Sequence, residues 1–158
     1  LSARPPVSIL SRQPLPTGAS GGVTLLGLAA SAAGAAFIAV VSSGGLLLAS
    51  AVQSLPVTEN SFDLVPVVVT AVSLAVIVTS SGLLGSIVDS LLGASLQAEY
   101  LSPTSGLHTE QSHSGQHPNT LVKGYRHINN DTVNLLSVSA AVLAALLMAA
   151  VLPLPAVP

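Results

Sequence analysis

Three long stretches of the chain, residues 21–41, 64–88 and 132–152, carry no charged side chain. At about 1.5 Å per helical residue, stretches of this size reach roughly 30–37 Å, enough to cross a hydrocarbon layer of about 30 Å. The pattern predicts three transmembrane helices, at approximately 21–41, 64–92 and 132–152. Ser42, Ser43, Gly44 and Gly45 offer a place to bend or end the first, and the apolar residues 46–55 fit either its continuation or a short re-entrant or extra helical piece. Glu59, Asn60 and Asp63 make 56–63 a solvated turn, and Pro66 falls in the first turn of the second span, where its missing N–H costs little. Residues 98–130, rich in Ser, Thr, Gly, Gln and His, form a polar loop with little apolar periodicity and are expected to be irregular. Asn129, Asn130 and Asp131 are available to cap the third span, and Pro153 and Pro155 stop it.

The second span ends on an unusual face. Gly82, Gly85, Ser86, Asp89, Gly93 and Gln97 follow helical steps of three and four, so they share one side. A soluble amphipathic helix builds its polar side from exposed charges, whereas small residues around one acid suit a bundle interior approached by another backbone or a ligand. In the first span Gly27, Ala30, Ser31 and Gly34 also recur at helical spacing and would permit close helix contact.

Composition supports the membrane assignment. Half of the 158 residues are apolar, 6% are charged and 3% are aromatic. A soluble domain carries about 25% charged residues, so this chain could not clothe a globule in water. The class is an all-α integral membrane protein, read as a single membrane domain over 1–158. The net charge of −2, with no basic patch, excludes a nucleic-acid polymer as partner. There is no cysteine, hence no disulfide framework. The N-terminus has neither an initiator Met nor a compact signal-peptide pattern, so the chain is expected to be a piece of something longer. Arg4 and Arg12 precede the first span, Lys123 and Arg126 precede the third, and the 53–63 turn has no basic residue. Three alternating spans put both basic segments on one side, the cytoplasmic or stromal-like side by the positive-inside rule. The chain is therefore multi-pass, with the organelle or cell membrane left open.

Three segments carry candidate chemistry. Asp89 is either a buried or interfacial carboxylate that holds Mg²⁺ or a proton, or an acid already in the headgroup layer at the helix mouth. Ser86, Ser90 and Gln97 are its candidate hydrogen-bonding helpers. The second segment, from Arg12 through Thr17, Gly18, Ser20, Gly21 and Gly22 to Thr24, is glycine-rich and leads into a helix start. Such a loop lets backbone N–H groups approach an anion, with Arg12 adding a full charge. It lacks the Gly-Lys-Ser/Thr of a Walker A loop, and a flexible loop capped by Ser20 is the competing reading. The third segment, 124–134, holds Asn130, Asp131 and Asn134. It either meets Asp89 to complete an oxygen-rich metal or phosphate site, with Asp131 as a second catalytic carboxylate, or only caps the helix. Asn134, one turn inside the apolar run, is expected to have a partner. His108, His113, His117 and His127 lack the well-placed fourth ligand and the cysteines of a zinc site and read as a His-bearing hydrophilic loop. No Gly-x-Ser-x-Gly elbow, HExxH helix or GxGxxG follows the required context, and there is no internal repeat.

The run Gly85-Ser86-Ile87-Val88-Asp89-Ser90-Leu91-Leu92-Gly93-Ala94-Ser95-Leu96-Gln97 resembles the signature of the transmembrane protein 19 family (domain of unknown function 92), which includes the plant chloroplast phytyl-phosphate kinases. Pro16-Thr17-Gly18-Ala19-Ser20-Gly21-Gly22-Val23-Thr24 is similar to its Gly-Gly-Val loop, and Asn129-Asn130-Asp131-Thr132-Val133-Asn134 to its Asn-Asp-x-Val-Asn segment. The resemblance covers nearly the whole chain, as the C-terminal half of a full-length member. It implies a polytopic enzyme that phosphorylates a prenyl monophosphate to the diphosphate with CTP and Mg²⁺. On that pattern Asp89 helps hold the metal–nucleotide, the 17–22 loop cradles phosphates, 129–134 closes the site and the lipid tail lies between spans. Two departures stand out. The family's upstream Asp-Thr-x-x-Ser-Glu-like motif lies before this chain begins, so the fragment alone is expected to be incomplete. The zinc-ribbon-like cysteines of some prokaryotic relatives are replaced by serines across 100–106, so zinc is not expected there. The alternative is a non-enzymatic polytopic protein, a transporter or structural subunit. Transport would place Asp89 deep in the bundle among discontinuous helices.

Overall fold

The computed structural model describes residues 5–16, 19–54 and 64–155. Thr17, Gly18, Arg4 and the acidic turn with Glu59, Asn60 and Asp63 lie outside them. Three helices dominate: α1 (Leu25–Ser54), α2 (Leu64–Ser95) and α3 (Asn130–Val151). Each is long and apolar enough to cross a membrane, so the multi-pass, helical class holds.

The helix limits have local causes. Thr24 caps α1 by accepting the Gly27 N–H on its Oγ1 (2.9 Å). Residues 42–45 do not interrupt the helix, so of the expected piece at 46–55 the described part, 46–54, is neither re-entrant nor separate: α1 runs on to Ser54. Broken backbone in hydrocarbon would orphan its N–H and C=O groups, a cost that holds the helix together despite two glycines. The hydroxyls add to this. Ser42 donates to the Ile38 carbonyl (2.8 Å), and Ser43 to the Ala71 carbonyl of α2 (2.8 Å). Asn129 caps α3, its Oδ1 accepting from both the N–H and the hydroxyl of Thr132 (2.9 Å each). Pro153 follows the helix end.

By contacts the chain divides into two compact units. The second comprises Ala30–Leu84 and Ala141–Pro158. Within it α1 and α2 pair antiparallel. Ser43 meets Ala71, and a Cβ added to Gly82 would stand 3.0 Å from the Ala35 Cβ. This corrects the expected seam. A Cβ on Gly34 would meet nothing within 4 Å, and one on Gly27 would meet only Thr24 of its own segment. Small residues permit close approach without compelling it, and here Ala35 and Gly82 make it.

The first unit comprises Leu1–Ala29 and Gly85–Ala140. Its N-terminal ribbon pairs β1 (Val7–Ser8) with β2 (Gly22–Val23), antiparallel with Val7 opposite Val23. Residues 98–130 are not irregular. They contain β3 (Glu99–Leu101), β4 (His108–Thr109), β5 (His113–Ser114), β6 (His117–Pro118) and β7 (Thr120–Lys123). An antiparallel sheet in the order β4-β3-β7 forms, and β5 and β6 make a hairpin turned at Gly115 (φ +62°), which suits a glycine-led two-residue turn. The unit is held at the end of α2. Gly124 (φ +73°) approaches so closely that a Cβ would overlap the Gln97 carbonyl. Tyr125 N–H donates to the Leu96 carbonyl (3.0 Å) and Ala98 N–H to the Ile128 carbonyl (2.7 Å). The two segments thus exchange backbone bonds in both directions, the Leu96 carbonyl just past the end of α2 finding a donor in Tyr125 and the Ala98 N–H an acceptor in Ile128. Ala98, Tyr100 and Val133 are the buried apolar residues here, accompanied by buried Gln97 and Glu99.

Candidate functional site

The last two turns of α2 carry Asp89, Ser90, Gly93 and, just beyond, Gln97. Gly93 allows a second backbone to lie against the helix, and the 19–22 loop uses that space. Gly21 has φ +79°, and a Cβ there would overlap Ala94. Only glycine meets both demands, the left-handed backbone and the lack of room. The loop, the helix end and the start of α3 enclose a polar cleft of about 300 Å³. Ser20, Gly21, Gly22, Asp89, Ser90, Gln97 and Asn130 all line it. Three stretches far apart in sequence thus meet in one place.

Glu110, on the loop after β4, also lines the cleft and ties its parts together. Its Oε1 accepts from Gln97 Nε2 (2.8 Å) and from the Ser20 hydroxyl (3.2 Å). Asp89 is half-buried, and the Ser137 hydroxyl of α3 is shared between Asp89 Oδ1 (3.3 Å) and the Asn134 carbonyl (3.0 Å). The cleft therefore offers two carboxylates, Asp89 and Glu110, beside hydroxyl, amide and glycine backbone groups. Such hard oxygen donors match Mg²⁺, which takes one or two protein carboxylates and completes its shell with phosphate and water. Among the described residues no group of three or more His, Asp or Glu side chains is placed to hold a metal ion.

A second cleft, about 330 Å³, shares Ala19, Ser20 and Glu110 with the first and continues along Pro16, Gly106, Leu107 and His108. Behind the glycine loop lies a polar cluster centred on a buried glutamate. Glu99 is 8% exposed, with His108 Nδ1 2.6 Å from its Oε1 and Lys123 Nζ 3.6 Å from its Oε2. Lys123 also donates to the carbonyls of Ser20 and Gly93 (3.2 Å each).

Other expected site residues lie elsewhere. Arg12 is exposed at φ +58° in the turn after β1, outside the cleft lining. That turn is closed by Ser8, whose Oγ accepts from the N–H groups of Leu10 (3.3 Å) and Ser11 (3.2 Å). On α3, Asn130, Val133 and Ser137 share the face turned to α2, by their steps of three and four. Asp131 and Asn134 stand off that face, exposed, so neither lines the cleft. Asn129 serves as a cap. Ser86 accepts the Ser90 hydroxyl on its carbonyl (3.1 Å) and is not part of the lining.

The sequence does not single out Glu110 or Glu99, and it marks Lys123 only as a charge that sets topology. The one signal available was scarcity: the chain has six acidic residues and four Lys or Arg in all, so each charge outside the spans was a candidate.

The family model described as "Integral membrane protein DUF92" matches residues 1–145. No curated protein and no solved structure matches the chain.

Proposed function

Because the chain belongs to the DUF92 family of integral membrane proteins, we propose that it is a membrane-embedded kinase, or the part of one that holds the phosphates. It transfers the terminal phosphoryl group of CTP to a prenyl monophosphate, giving the diphosphate. One observation carries the reading: a single polar cleft at the ends of apolar helices gathers a glycine loop, two carboxylates and an α3 amide. Phosphoryl transfer asks little covalent chemistry of a protein. It asks for in-line placement of two phosphates and relief of their charge. The bond between the β–γ bridging oxygen and the γ-phosphorus breaks, and a bond from that phosphorus to a terminal oxygen of the prenyl phosphate forms. CDP leaves with the bridging oxygen. An ionised phosphate acceptor needs no general base.

The chain's own residues divide this work. The Ser20–Gly21–Gly22 backbone binds nucleotide phosphate, and the Ser20 and Gln97 side chains orient Glu110. Asp89, steadied by Ser137, stands opposite the loop. Asp89 and Glu110 are the residues to hold Mg²⁺, which when bound neutralises phosphate charge. Asn130 closes the third side, and the second cleft along Pro16 and Leu107 receives the nucleoside. The prenyl tail stays among the apolar helices, so the substrate never leaves the bilayer. A transporter is the less suited alternative, because α2 is continuous through Asp89.

The test is transfer of label from γ-labelled CTP, with ATP in parallel, to a panel of prenyl monophosphates by the intact protein in detergent. Label in a prenyl diphosphate supports the reading. No transfer from either donor, by protein shown to be folded, sinks it.

A further inference from the structure

The cluster behind the glycine loop is not accounted for by phosphate chemistry. A lysine ammonium has three N–H bonds. Around Lys123 stand three oxygen acceptors: the Ser20 and Gly93 carbonyls (3.2 Å each) and Glu99 Oε2 (3.6 Å). Two of its hydrogens are engaged by the carbonyls, and the Glu99 carboxylate stands at ion-pair distance. Its partners belong to three different elements: the glycine loop, α2 and the central strand β3. The anchor is firm, because the Glu99 side chain is 11% exposed and its other oxygen is held by His108.

We infer that Lys123 is the positioning residue of the phosphate cradle, fixing the Ser20–Gly21 peptide against α2 from behind. This rests on the reading of the 20–22 loop as a phosphate site. In a trans peptide the C=O and the following N–H point opposite ways, and the described residues contain no cis bond. Holding the Ser20 carbonyl toward the ammonium therefore sets the direction of the Gly21 N–H. Glycines confer close approach but also backbone freedom, which must be lost before an anion can be bound. A charged tether from Lys123 removes that freedom before the ligand arrives. The second tether, to Gly93, keeps the same ammonium registered on the helix that carries Asp89.

Three variants of the intact protein in detergent test this: Lys123→Met, Lys123→Arg and Glu99→Gln. Amide hydrogen exchange at Gly21 and Gly22 is one readout, and affinity for Mg²⁺–CTP and for a prenyl monophosphate is the other. Lys123→Met is expected to speed exchange at both glycines about tenfold or more, the worth of a charged hydrogen bond. It should weaken Mg²⁺–CTP by a similar factor while leaving prenyl monophosphate affinity unchanged. Lys123→Arg should restore most of both effects. Glu99→Gln, which keeps the lysine and loosens its anchor, should move both in the same direction by less, and it decides the matter should Lys123→Met not fold. Unchanged exchange at Gly21 and Gly22 in folded Lys123→Met, or in Glu99→Gln where only that variant folds, overturns the inference. Equal weakening of both ligands also overturns it, as general damage. Failure of the kinase reading looks different: wild-type protein would bind no CTP, and the exchange rates would still report whether Lys123 holds the loop.

Discussion

An acid at the end of an apolar helix is conspicuous because desolvating a carboxylate is expensive, and Asp89 was legible from the sequence for that reason. Glu110 was not. It sits in a run of polar residues where a carboxylate costs nothing, and its importance comes from Ser20 and Gln97, respectively 90 and 13 positions away in the chain. The glycines divide in the same manner. The sequence marks 21, 22, 34, 44 and 45 alike, yet a Cβ would overlap a neighbouring backbone at Gly21 and meet nothing within 4 Å at Gly34. Gly21→Ala should therefore cost about 1–3 kcal/mol through its left-handed backbone, with the clash added, whereas Gly34→Ala, inside a helix with room for a Cβ, should cost nothing and raise stability by up to about 1 kcal/mol. Thermal unfolding of the two variants in detergent checks this; equal midpoints would show that the loop does not pack on α2 as described.

At the level of elements, the spans follow from physics that acts locally. Backbone groups in hydrocarbon must bond within their own helix, so an uncharged run long enough to cross becomes a helix whatever its glycines. For the same reason α1 passes unbroken through Gly44 and Gly45, which by soluble-protein rules would have ended it. The strands had no such signal. They are only two to four residues long, too short for a sustained alternation, and β3 finds β7 some twenty residues later through pairs such as Tyr100 with Leu121. Pairing of that kind depends on where α2 ends and α3 begins, which no short window of sequence contains. The α3 cap is open to direct test. Asn129→Ala removes the acceptor of both Thr132 bonds and should cost about 1 kcal/mol, read as a lower thermal midpoint. A matched Ser139→Ala change, which removes only a hydroxyl bonded back to the Leu135 carbonyl (2.7 Å), should cost less.

For the molecule as a whole, the basic residues at 12, 123 and 126 imply that the N-terminal ribbon and the β5–β6 hairpin face one compartment. The chain contains no cysteine, so single cysteines at Ser11 and Gln116, both exposed, can be labelled without background. An impermeant maleimide added to sealed vesicles should reach both or neither. Labelling of one alone would contradict the charge-based topology and, with it, a cleft built from both segments. The function was less legible than the fold, because a spaced motif specifies which residues matter but not that they converge. Convergence is the central claim, and Mg²⁺–CTP binding tests it most directly, measured by titration calorimetry on wild-type protein and Asp89→Asn in the same detergent. The asparagine keeps an oxygen for Ser137, so the fold should survive while the charge is lost. The expected result is wild-type binding that requires Mg²⁺ and is weakened about tenfold or more in the variant. Binding that ignores Mg²⁺, equal affinity in the two proteins, or no binding by folded wild-type protein would contradict the account.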